Sequence, residues 1–129
     1  MPLTTKGGLA LAALIAGDGA VPAFNASNAR IGVGDSSTAF NVAQTDLQAA
    51  SNKIRKLVNG APQVVLASGQ VTFSATFSNA EAVFAIQEVG LFNAASGDTM
   101  MSRKVVSLGT KPSNEAWTID LICNTAVGS

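Results

Sequence analysis

The feature that most constrains this chain is a strict two-residue alternation in its second half. In Gln70 to Ser78, QVTFSATFS, the residues Val71, Phe73, Ala75 and Phe77 fall on one side and Thr72, Ser74, Thr76 and Ser78 on the other. Side chains alternate across a strand, so this pattern predicts a half-buried antiparallel β-strand. Trp117, Ile119, Leu121 and Cys123 repeat it near the C-terminus, entered from the turn Lys111-Pro112-Ser113-Asn114. Between them, Val83 to Phe92 and Thr99 to Ser107 are two further strand-like runs separated by Asn-Ala-Ala-Ser-Gly-Asp. That connection suits a hairpin with a loop longer than two residues.

The first half has a different period. Residues 7–17, GGLALAALIAG, follow Thr4, Thr5 and Lys6. The apolar run is too short to span a bilayer, and a single Lys makes a poor positive leader for a secretory signal. It reads as a helix buried on several sides, with Thr4 or Thr5 at its N-cap and Gly17 ending it. A Gly, Pro and Asn-rich connection, residues 17–29, leads to a short strand from Arg30 to Val33 and a Gly-rich turn. A second helix is predicted from Thr45, because Thr45 and Gln48 have the capping-box spacing and Leu47, Ala50, Ile54, Leu57 and Val58 recur at helical intervals. Asn59-Gly60 and Pro62 would stop it.

These elements predict one domain over residues 1–129 of the α+β class. Its C-terminal half is an antiparallel β-sheet or small β-sandwich, and two α-helices occupy the N-terminal half.

Composition then bears on function. Charged residues make up 12% of the chain, about half the roughly 25% of an average soluble domain, while hydrophobic residues reach 47% and mean hydropathy is +0.32. A small domain has a large exposed fraction, so a deficit of charge is a deficit at the surface and implies that neighbouring subunits cover part of it. Eight basic and eight acidic residues leave no net charge, hence no global field toward nucleic acid or an anionic membrane. The one basic cluster, Lys53, Arg55 and Lys56, falls on the predicted second helix and reads as a solvated face or a contact with a neighbour's carboxylate.

Histidine is absent, which removes the commonest general base and the commonest nitrogen ligand for metals. Cys123 is the single cysteine and falls on the buried side of its strand, where it reads as a small core residue. Gly32 to Ser37, GVGDSS, looks like a phosphate loop but has neither the third glycine of the dinucleotide fingerprint nor the Lys-Ser/Thr of a P-loop. Asp18 and Asp35 sit in Gly turns without calcium-loop spacing, and Asn25-Ala26-Ser27 is a sequon that occurs often by chance. Glu88, within an apolar run, is the one residue with the setting of a raised-pKa acid. Such a Glu is more often paired with an Arg or accepts backbone hydrogen bonds, and Arg30, Arg55 and Arg103 are candidates for the pairing. No catalytic, metal or cofactor residues are assigned, and no small-molecule substrate is expected.

Three segments in order, LTTKGGLALAALIAG, RIGVGDSSTAFNVAQTDLQAASNKIRK and FAIQEVGLFNAASGDTMMSRKV, resemble the N-terminal, particle-attaching domain of bacteriophage tail-collar fibre proteins. Small stand-alone phage virion proteins carry similar Gly-Val-Gly-Asp and Gly-Leu-Phe-Asn-Ala-Ala-Ser-Gly segments. The resemblance covers most of the chain, although Ser36 stands where those fibres have the second Gly of Val-Gly-Asp-Gly, and the shaft and receptor-binding tip of a fibre have no counterpart in these residues. It implies a non-enzymatic part of a virion, homo-oligomeric and by analogy with fibres trimeric, made in a bacterial cytoplasm. Its partners would be other virion proteins of tail, baseplate, collar or capsid. Two placements follow, fibre attachment at the tail or decoration of the head exterior; a carbohydrate-active module is a third reading, poorly served by a chain with one Trp and no Tyr. Glu88, Arg103, Lys104 and Arg55 are the residues expected at assembly contacts.

Overall fold

In the computed structural model, which describes residues 2–97 and 99–124, the alternating segments pair into two antiparallel sheets. The elements are α1 (Thr5–Ile15), β1 (Arg30–Gly34), β2 (Lys53–Leu57), β3 (Gln63–Val65), β4 (Gln70–Phe77), β5 (Ala85–Phe92), β6 (Met100–Thr110) and β7 (Trp117–Asn124). Sheet A has the order β2-β1-β5-β6 and sheet B the order β3-β4-β7. Asp98, the second residue of the Gly-Asp hairpin turn, lies outside the described residues.

The inner faces pack as the alternation predicts. Phe73, Ala75 and Phe77 of β4 and Ile119 and Leu121 of β7 meet Ile31 and Val33 of β1 and Ile86, Val89 and Leu91 of β5 in one apolar cluster. Cys123 packs at its margin, and burial pushes its thiol pKa up. On the other face of sheet B the short polar side chains pair across strands: Thr76 with Thr118, and Ser74 with Asp120.

The first helix forms as its sequence indicates. Thr4 is the N-cap, its hydroxyl accepting from the Gly7 N–H at 2.9 Å, and Gly17 follows the C-terminus in the left-handed region at φ 72°. Helix α1 docks on β6 through Gly7, whose Cα lies against the Met101 carbonyl so closely that a Cβ would collide with it.

The α+β class with two helices is corrected, because the described residues are β-rich with one short helix. Where the second helix was expected, residues 35–52 form a long loop and Lys53–Leu57 form β2, paired with β1. The capping pattern at Thr45 and Gln48 is not used. Asp46 instead accepts the Leu47 N–H, and the N–H groups of Gln48 and Ala49 bind a side chain far away in sequence. Lys53, Arg55 and Lys56 therefore lie on a strand, with alternate side chains on opposite faces. Strand β3 was also not anticipated, being only Gln63–Val65.

Candidate functional site

On the outer face of sheet A three glycines share one side of neighbouring strands. Gly32 and Gly34 of β1 stand opposite Gly90 and Glu88 of β5. A Cβ at Gly32 or Gly90 would press on the Phe92 ring, and one at Gly34 would strike the Glu88 carboxylate. The missing side chains leave a floor on which Phe92 and Glu88 lie flat, and the loop of residues 35–52 closes over it with Leu47 and Ala49 buried.

Glu88 and Arg103 are both 0% exposed and meet directly, Arg103 Nε donating to Glu88 Oε1 at 2.7 Å. The carboxylate also accepts the N–H groups of Gln48 at 2.8 Å, Ala49 at 2.9 Å and, more weakly, Ser36 at 3.4 Å. Arg103 Nη1 donates to the Gln44 side-chain oxygen at 3.2 Å. Its Nη2 is buried with no hydrogen-bond partner among the described residues. The Gly-rich turn that looks like a phosphate loop thus does face an anion, the chain's own Glu88. Of the three arginines available to Glu88, the register selects Arg103, because Gly90 pairs with Arg103 and Glu88 with Val105, which puts Glu88 and Arg103 diagonally on one face.

Arg55, on β2 opposite Gly32, stacks on Phe92 with its guanidinium carbon 3.7 Å from the ring centroid. It donates to the carbonyls of Ala94 and Gly97 and to Asp46, so it pins the β5–β6 hairpin loop to the loop of residues 35–52. Burial raises the Asp46 pKa, but hydrogen bonds from Lys53, the Leu47 N–H and Arg55 outweigh it and hold the carboxyl below its ordinary value. Lys56, pointing to the opposite face, pairs with Glu81 at 2.8 Å. That contact and the Ser78 N–H lower the Glu81 pKa to about 2.

Among the four residues expected at assembly contacts, Glu88 and Arg103 are therefore brought together inside one chain, Arg55 is engaged internally, and Lys104 alone is exposed. Sequence reasoning allowed for backbone donors to Glu88 but missed which ones they are, the N–H groups of Ser36, Gln48 and Ala49, and it missed the parts played by Gln44 and Asp46. The alternating glycines of RIGVG, with the Gly of EVGLF, are the signal that marks this close approach. It also missed Lys111, which is 0% exposed with Nζ donating to the carbonyls of Asn79 and Pro112. The aspartates of the glycine turns serve local bonds, Asp18 with the Ala20 N–H and Asp35 with the Asn52 amide. The described residues contain no group of three or more His, Cys, Asp or Glu placed to hold a metal ion.

A second feature lies between the sheets. A groove of about 710 Å³ opens between β6 and β7, lined by Val89, Lys104, Val106 and Leu108 on one wall and by residues 116–122 on the other. The Trp117 ring reaches Gly109 at its edge, with its tip 3.9 Å from where a Cβ would stand.

A scan against models of known protein families finds none that matches this chain, and no curated protein matches it in sequence.

Proposed function

We propose that the chain is a non-enzymatic structural component of a bacteriophage particle, a tail, baseplate or collar protein of the fibre-attachment kind that works through contacts with other virion proteins. The observation that carries the structural half of this reading is the character of the surface. Leu9 (69% exposed), Ile15 (80%) and Leu66 (88%) stand in the open with Leu3, Val42, Val64 and Ile122. Meanwhile Lys53, Arg55, Lys56 and Arg103 are drawn into internal ion pairs. A surface both apolar and low in free charge is what a subunit shows before its neighbours cover it. The assignment to a phage rests on the three ordered sequence segments.

An acid catalyst at Glu88 is disfavoured on geometry. The carboxylate is sealed from solvent and both of its oxygens already accept hydrogen bonds, so no substrate oxygen can approach it.

The test is antibody-gold labelling of intact phage particles with serum against this chain, with its copy number from gel densitometry against the major capsid band. Gold at the tail or collar in few copies is the expected result. Gold over the head in hundreds of copies would replace fibre attachment by capsid decoration, and particles without label would end both readings.

A further inference from the structure

Residues 35–52 strap the outer face of sheet A without forming helix or strand, and a connection of that length is uncommon in a small domain unless it serves a purpose. Only Leu47 and Ala49 of the strap are buried. Leu47 joins Phe92 and Met100 in an apolar cluster separate from the core between the sheets. The rest of the attachment is polar. It consists of the N–H groups of Ser36, Gln48 and Ala49 on Glu88, Gln44 on Arg103, Asp46 on Lys53 and Arg55, and the Val42 carbonyl accepting the Thr5 N–H. Asp35 and Asn52 bond to each other at its base, so both ends stay fixed to β1 and β2 while the middle is free to lift.

Little apolar burial and few backbone bonds are the marks of low local stability. Closure also carries a cost. Arg103 Nη2 is buried without a partner among the described residues, and lifting the strap, whose Gln44 sits on the same guanidinium, gives that donor access to water.

The β5–β6 hairpin loop faces the strap across a cavity of about 240 Å³, with Asp46 and Leu47 on one side and Ala95, Ser96 and Gly97 on the other. Arg55 bridges the two. It donates to Asp46 at 3.2 Å and to the Ala94 and Gly97 carbonyls at 3.0 and 3.1 Å, and it stacks on the Phe92 ring that Leu47 also covers. Lifting the strap takes the Asp46 carboxylate from the guanidinium, so the hairpin loop loses the fixed cation that holds its carbonyls.

We propose that the strap and the β5–β6 hairpin loop open together as one cooperative unit, coupled through Arg55, while the two sheets and the core between them stay folded. This unit is the part of the molecule able to rearrange when a neighbour is met. The proposal goes beyond the assembly role proposed above and stands or falls apart from it, being a property of the isolated chain.

Amide hydrogen exchange of the purified full-length chain, read residue by residue by NMR, tests it. The Gln48 and Ala49 amides of the strap and the Asn93 and Thr99 amides of the hairpin loop are expected to exchange at a common rate, at least about a hundredfold faster than the paired amides of β4 and β7. Asp46 bonds only within the strap and to β2. Asp46→Ala should nevertheless speed strap and hairpin-loop exchange alike, by about fivefold, the size of a part-exposed ion pair, and leave β4 and β7 unchanged. In an Arg55→Met background, Asp46→Ala should no longer reach the hairpin loop. Circular dichroism checks that each variant is folded, and should Arg55→Met fail to fold, the wild type and Asp46→Ala decide alone. Strap and loop exchanging only as slowly as β4 and β7 would overturn the proposal. So would a hairpin loop unmoved by Asp46→Ala, or one that still responds to it after Arg55→Met.

Discussion

At the residue scale, Glu88 ties distant parts of the chain together. It joins β5 to β6 through Arg103 and fixes the loop of residues 35–52 through two short backbone hydrogen bonds. A buried ion pair adds little over an apolar pair of the same shape, but removing one partner strands the other charge in the interior. Glu88→Gln is expected to cost about 3–5 kcal/mol in denaturant unfolding, because Arg103 loses its counter-ion with no route to water. A loss below about 1 kcal/mol, the range of an exposed pair, would contradict the burial described. Glu81 gives a pH prediction of definite sign. Its folded pKa, about 2, lies below the ordinary 4.5, so its contribution is complete above pH 4.5 and is lost as pH falls from there toward 2. The denaturation midpoint should drop over that window in the wild type, and drop less in Glu81→Gln.

At the scale of elements, residues 45–58 show why a helical repeat is not a helix. Leu47, Ala50, Ile54, Leu57 and Val58 have the spacing, and Thr45 with Gln48 has the cap. A helix would have satisfied the Gln48 and Ala49 N–H groups locally, and it would have left Glu88 buried without donors. It would also have removed β2 from the edge of sheet A, where Ile54 pairs with Val33 and Arg55 covers Phe92. Long-range pairing outweighs a propensity worth only tenths of a kcal/mol per residue. Helix α1 supplies a test of docking against propensity. In a free helix Gly7→Ala would stabilise by about 1 kcal/mol. On β6 the added methyl meets the Met101 carbonyl, so the variant should instead destabilise by about 1–3 kcal/mol. Limited proteolysis should then cut near α1 in the variant and not in the wild type. Unchanged or higher stability would mean that α1 is not held against β6.

At the scale of the whole molecule, the two sheets bury one core and leave apolar residues outward in several places: Leu9 and Ile15 on α1, Val64 and Val65 on β3 with Leu66 beyond it, and Leu108 beside the groove. They are distributed over helix, edge strand and inter-sheet groove rather than gathered in one patch. The sequence by itself determined the elements whose stability is local or whose pattern is periodic. Helix α1 with its Thr4 cap, strands β1, β4 and β7, and the β5–β6 hairpin are legible because alternation and capping are properties of neighbouring residues. It also pointed to Glu88 as a satisfied carboxylate, buried or interfacial, with arginines among its candidate partners. Which arginine, and which backbone donors, only the tertiary structure decided, since these depend on register between strands and on a loop folding back across it. The same holds for β2, for the burial of Lys111 and for the open groove. Each arises where distant segments meet, and desolvation and pairing energies at such meetings exceed the local preferences that a sequence displays.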